Sequence, residues 1–140
     1  MKARKLPIVR TNYKFEAPVV EAAYRNSESS KTDDSNKLLD LNAFLAPYPE
    51  NIFLVRVSGE SMIDANINDG DILVVDSKEK PAIGKIVIAS LNGEMAVKYY
   101  DIQNGDVYLV SANKRFLPMK ISELFEFQIQ GVVKHIIRNM

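Results

Sequence analysis

Ser61 lies in Val57-Ser58-Gly59-Glu60-Ser61-Met62, where a β-prone run gives way to a glycine-bearing turn. A nucleophilic serine needs an exposed hydroxyl and nearby backbone N–H groups that can hold a developing oxyanion. A turn leaving a strand supplies both. Taken alone, Ser-Gly-X-Ser is also ordinary loop composition. Lys98 adds a second group. Its flanks, Met95-Ala96-Val97 and Tyr99-Tyr100, carry no charge, so an ammonium is set into an apolar strand. Burial favours the neutral amine, which can take the proton of a serine hydroxyl. The competing reading is a lysine that snorkels from the solvent face of an edge strand.

Other chemistries find little material. The chain has no cysteine, which excludes thiolate metal sites and cysteine nucleophiles. Its single histidine, His135, sits in the apolar run Val132-Val133-Lys134-His135-Ile136-Ile137 and reads as a structural residue near a strand end. Asp64, Asp69, Asp71 and Asp76 fall around turns and strand ends without a calcium-loop spacing, so turn and surface roles are expected. Tyr99, Tyr100 and Tyr108 read as core or interface residues. No metal and no cofactor are expected.

The elements that must position Ser61 and Lys98 are short strands. Ile52–Val57, Asp71–Asp76, Lys85–Ala89, Glu94–Tyr100, Val107–Val110 and two pieces of Phe125–Ile137 around Gly131 are β-prone. Asn68-Asp69-Gly70-Asp71, Leu91-Asn92-Gly93-Glu94 and Gln103-Asn104-Gly105-Asp106 supply the positive-φ residues of tight turns. The spacing predicts a mainly β fold, a small partly open antiparallel barrel or sandwich. Residues 38–45 suggest a short helix stopped by Pro47 and Pro49. Residues 1–36 are expected to form an N-terminal arm and polar linker, and 37–140 the domain. The run from Asn26 to Asn36 is too polar to offset its ordering entropy, and Phe15 to Tyr24 suits a docking arm.

With 18 basic and 18 acidic residues, the chain has no global basic signature for nucleic acid. No apolar stretch approaches the roughly 20 residues that span a bilayer. The charged start Met1-Lys2-Ala3-Arg4-Lys5 is not followed by a signal peptide's apolar region, so a cytoplasmic protein is expected.

Ser58-Gly59-Glu60-Ser61-Met62, then Asp69-Gly70-Asp71, Val74 and Asp76, then Gly93-Glu94 leading to Val97-Lys98, resemble the LexA/UmuD family of self-cleaving peptidases. The 37-residue separation of Ser61 and Lys98 matches that family's nucleophile-to-base spacing. Asp40-Leu41-Asn42, Ser77, Asn113 and Gly131-Val132-Val133-Lys134-His135 resemble the UmuD branch in particular, over residues 38–138. The resemblance implies the LexA C-terminal domain fold, Ser61 as nucleophile, Lys98 as general base and the Met62 backbone N–H as an oxyanion donor. It also implies self-cleavage stimulated by a RecA filament on single-stranded DNA. A homodimer and a UmuC-like translesion polymerase are the further partners implied.

Two departures bear on use of the dyad. The first 36 residues are too few and too polar for a helix-turn-helix, so direct sequence-specific DNA binding is not expected. The family's Ala-Gly or Cys-Gly cleavage pair occurs nowhere in the chain. Near Phe15-Glu16-Ala17-Pro18 the chemically closest substitute is Ala22-Ala23, two small side chains suited to a narrow cleft. Two functions follow: a self-cleaving serine endopeptidase, or a non-cleaving UmuD′-like binding module for a lesion-bypass polymerase.

Overall fold

Alternating strands that bury one face close most simply into a barrel, and antiparallel neighbours joined by two-residue turns make that closure local. The computed structural model describes residues 1–7, 16–18 and 38–140. The chain divides into two units, Met1–Ile8 with Glu50–Met140, and Val9–Pro49. In the larger unit the strands are β1 (Lys2–Leu6), β4 (Ile52–Ser58), β5 (Ile72–Asp76), β6 (Ile86–Leu91), β7 (Glu94–Gln103), β8 (Asp106–Val110), β9 (Met119–Lys120) and β10 (Phe127–Ile137). Their order is β1-β4-β5-β10-β6-β7-β8-β9, with β1 also pairing β7. Six strands thus form a closed antiparallel barrel, and β8 and β9 extend it beyond β7. The expected mainly β fold is present, and it is closed rather than partly open.

The turn signals act where expected. Asn92-Gly93 (φ 49° and 84°) joins β6 to β7, and Asn104-Gly105 (φ 52° and 83°) joins β7 to β8. Both residues of each pair take the left-handed conformation that a two-residue hairpin needs. Val55, Val57, Met62, Ile67, Leu73, Val75, Ile88 and Val97 form the main core, which includes Met1. A second cluster joins Val87, Ala89, Leu109 and Val132.

Three sequence expectations are revised. The first residues of the expected arm form β1, paired along β4 from Lys2↔Ser58 to Leu6↔Leu54. Five residues with three cations carry no amphipathic pattern of their own; their place comes from two strand edges that need partners. Of residues 125–137, Phe127–Ile137 form one strand rather than two pieces. Its register shifts between Ile129 and Gly131 against β6, and between Val133 and His135 against β5. Such bulges bend a strand without ending it. In the smaller unit, residues 38–45 split into β3 (Leu38–Asp40), paired with β2 (Glu16–Pro18), and α1 (Leu41–Leu45). Asp40 causes the split: its extended backbone ends β3, and its carboxylate accepts from Asn42 N at 3.0 Å as an N-cap. The polar run 26–36, Ala22-Ala23 and most of the Phe15 to Tyr24 segment lie outside the described residues.

The acidic residues of the turns are structural. Asp69 accepts from Gly59 N at 2.8 Å, and Asp76 from Lys78 N and Glu79 N. Asp71, buried, accepts from both Arg138 Nε and Nη2 at 2.7 Å and from Asn68 N at 2.7 Å. The Arg138 hydrogen bonds hold its carboxyl below the ordinary value of 3.8.

Gly131 should tolerate no side chain. A Cβ there would meet Val75 Cγ1 at 2.6 Å and Asp76 O at 2.7 Å. Gly131→Ala is expected to destabilise by about 2 kcal/mol, read from the urea midpoint. Arg138→Ala leaves the Asp71 carboxylate buried with less support, and should lower the urea midpoint near neutral pH. A depressed native pKa contributes stability above the unfolded value. Urea titrations at several pH values should therefore show the Arg138→Ala deficit shrinking as pH falls through 3.8 toward Asp71's lower native value.

Candidate active site

β4 delivers the chain to a turn at Ser58-Gly59-Glu60. Gly59 takes φ +103°, a conformation that side chains resist. Ser61 follows, 3% exposed, and Met62 beneath it is fully buried. The Met62 carbonyl accepts from Ala65 N and Ile67 N, closing the turn that carries the serine. The Met62 N–H, the expected oxyanion donor, is thereby held on an anchored residue directly after the nucleophile candidate.

Lys98 stands on β7. Val97 and Tyr99 pack with the main core, so strand alternation turns Lys98 to the other face. It is half-buried, and its Nζ donates to Ser111 Oγ at 2.6 Å. The ammonium also lies 5.7 Å from the Phe116 ring centre. Burial lowers its pKa below the ordinary 10.5, the direction a proton-accepting amine requires.

The segment after β8 holds the two halves of the site together. Ala112 N donates to Met62 Sδ at 3.3 Å, and Asp64 N donates to Ala112 O at 2.8 Å. Asn113 Nδ2 donates to Glu60 O at 2.9 Å. Ala112 and Asn113 thus grip the Ser61 turn while Ser111 receives the Lys98 amine. The sequence reading did not single out Ser111. A lone serine after a strand carries no signal until the fold sets it opposite Lys98.

A third group enters that no motif announces. The Met1 α-amine donates a hydrogen bond to Ser61 Oγ. Burial, with the nearby Lys98 charge second, pushes this amine down from 8.0 to about 6. The hydroxyl partner in the structure is therefore Met1, and the Lys98 partner is Ser111. Both amines share one electrostatic neighbourhood at Ser61. His135 lies elsewhere in the barrel, paired opposite Val74 in β10. Among the described residues no group of three or more His, Cys, Asp or Glu side chains could hold a metal ion. No helix among them is long and apolar enough to cross a membrane.

A protein-family model, Peptidase S24-like, matches residues 18–134. The protein ImpA of Salmonella typhimurium is 49% identical over 70 residues, half of this chain and 48% of its own length. The LexA repressor of Histophilus somni (strain 2336) is 37% identical over 103 residues, 72% of this chain and 48% of the repressor. That of Pectobacterium carotovorum is 39% identical over 92 residues, covering 65% of this chain and 46% of the relative. The chain spans about half the length of these curated relatives.

The electrostatics of the site can be read at the Met1 amine. NMR titration of the chain labelled at the Met1 nitrogen should place its midpoint near 6. Lys98→Met removes the neighbouring charge and should raise that midpoint, while burial still keeps it below 8.0.

Proposed function

Because the chain belongs to the S24-like peptidase family, we propose that it is a serine endopeptidase that acts on its own chain through a Ser61–Lys98 dyad. What supports the reading is the half-buried Lys98 amine, lowered in pKa and held by Ser111, together with a buried Ser61 on a turn tied to the segment that follows Ser111. Neutral Lys98 takes the Ser61 proton as Oγ attacks a peptide carbonyl. The Met62 N–H is the donor assigned to the oxyanion, and the acyl-enzyme is then hydrolysed. Ser111 is a positioning residue that steers the amine. On the resemblance to UmuD, the protein serves in the SOS response to DNA damage. A RecA filament on single-stranded DNA stimulates cleavage, and the processed homodimer assists a UmuC-like polymerase in translesion synthesis.

Two observations favour a second reading. The Ser61 hydroxyl is already engaged by the Met1 amine, and the chain lacks an Ala-Gly or Cys-Gly pair. A UmuD′-like dimeric module that binds a lesion-bypass polymerase without cutting itself fits those two facts.

Intact-mass measurement over a pH series separates the readings. A shortened wild-type product is expected, formed faster as pH rises, with its half-maximum below 10.5 because the base is the deprotonated amine. Ser61→Ala should abolish it, and Lys98→Ala should slow it by about a hundredfold or more. Ser111→Ala should slow it about tenfold through misorientation of the base. Unchanged wild-type mass, with activated RecA present, would leave the binding module as the function.

A further inference from the structure

Val55 and Val57 are buried in the core, so Arg56 between them points out of the barrel wall. Its direct partner on β1 is Arg4, and Lys2 sits two residues along opposite Ser58. Ala3 packs against the core, which sets Lys2 and Arg4 on the same outer face as Arg56. Residues directly opposite in an antiparallel ladder hold their Cβ atoms about 5 Å apart, and like charges there are unfavourable. A guanidinium pair at this register therefore calls for an anion between its members. The described residues supply none: neither Lys2, Arg4 nor Arg56 is ion-paired with a carboxylate among them. All three are exposed.

The row continues into a cavity. Arg56 pairs with Ile72 of β5, and Ile72 with Ile137 of β10, so Arg4 to Arg138 is one continuous wall roughly 15 Å wide. A cavity of about 350 Å³ opens there, lined by Arg56 and Arg138 with Asn68 and Asn139. Its two carboxylates are engaged. Asp71 accepts from Arg138 and from Asn68 N, and Asp69 accepts from Gly59 N. Arg56 Nη1 is fixed on Gly70 O at 2.9 Å, which leaves its Nε and Nη2 for a ligand. Three unpaired cations thus face outward against one carboxylate, Asp69, that has no cationic partner among the described residues.

We infer that this face binds the phosphate backbone of a nucleic-acid strand. The Arg4–Arg56 pair grips one phosphate, and Lys2 and the cavity at Arg138 serve its neighbours. A phosphodiester carries two non-bridging oxygens on a tetrahedral centre, so each guanidinium can take one. The flat oxygen pair of a carboxylate is instead satisfied by a single guanidinium fork. A row of cations spread over several strands also suits linked phosphates better than one free anion. No side chain of the row is aromatic, so bases find no stacking platform and the contact is indifferent to base sequence. The surface shares no residue with the Ser61–Lys98 dyad and does not depend on that reading.

The test uses the full chain as Ser61→Ala, which prevents any self-cutting, and a fluorescein-labelled oligothymidylate of about 20 nucleotides read by anisotropy. Binding is expected at about 50 mM salt with a Kd on the order of 100 µM or tighter. The logarithm of the binding constant should fall against that of salt with a slope of about −2, as three phosphate contacts on a single strand require. Arg4→Gln with Arg56→Gln should weaken binding about tenfold or more and bring the slope to about −0.7. Either substitution alone, a smaller change to the fold, should weaken it about threefold. Lys78→Gln with Lys80→Gln alters exposed cations beyond the other end of β5 and should leave binding within about twofold. No binding at low salt, or unchanged affinity in the arginine variants, would overturn the inference. Equal loss in the Lys78 and Lys80 variant would reduce the effect to overall charge and overturn it as well. Equal competition by polyglutamate of matched charge would show that carboxylates suffice, and would overturn the assignment to phosphates.

Discussion

The barrel depends on closing the gap between β4 and β7. Left open, those strands would present unpaired N–H and C=O groups along the side of the fold where Ser61 and Lys98 sit. β1 closes it, pairing with β4 along its length and with β7 at its first residues. The hydrogen bonds that complete the barrel therefore also bring the Met1 amine to Ser61, across 60 residues of sequence. Fold closure and occupation of the site are one event in this molecule.

The same arrangement places two amines in a setting that disfavours charge. Lys98 loses hydration by lying along β7, and the Met1 amine loses it by burial at Ser61. Each would be an isolated charge if fully protonated, and their mutual repulsion adds to the desolvation cost. Ser111 and Ser61 each accept one hydrogen bond from one amine, dividing two weak acceptors between two donors. A carboxylate at either position would favour the ammonium over the neutral amine.

Much of this was legible before the coordinates. The hairpins at Asn92-Gly93 and Asn104-Gly105 follow from residues that accept positive φ, and the strand set follows from alternation. Lys98 stood out because a cation between Val97 and Tyr99 conflicts with its surroundings. What stayed hidden depends on long-range pairing. Lys2-Ala3-Arg4-Lys5-Leu6 looks like a solvated start, and only the free edges of β4 and β7 make it a strand. Ser111 is silent until β8 carries it opposite Lys98. The division of residues 38–45 was missed because apolar spacing outweighed the capping ability of Asp40.

β10 has a different consequence. It lies between β5 and β6, takes a register shift against each, and is the last of the described strands. Until it arrives, β5 and β6 have no common partner, and the barrel stays open between them. During synthesis the barrel therefore cannot close until this last described strand has emerged. The order of strands along the chain thus makes closure of the barrel a late event in synthesis.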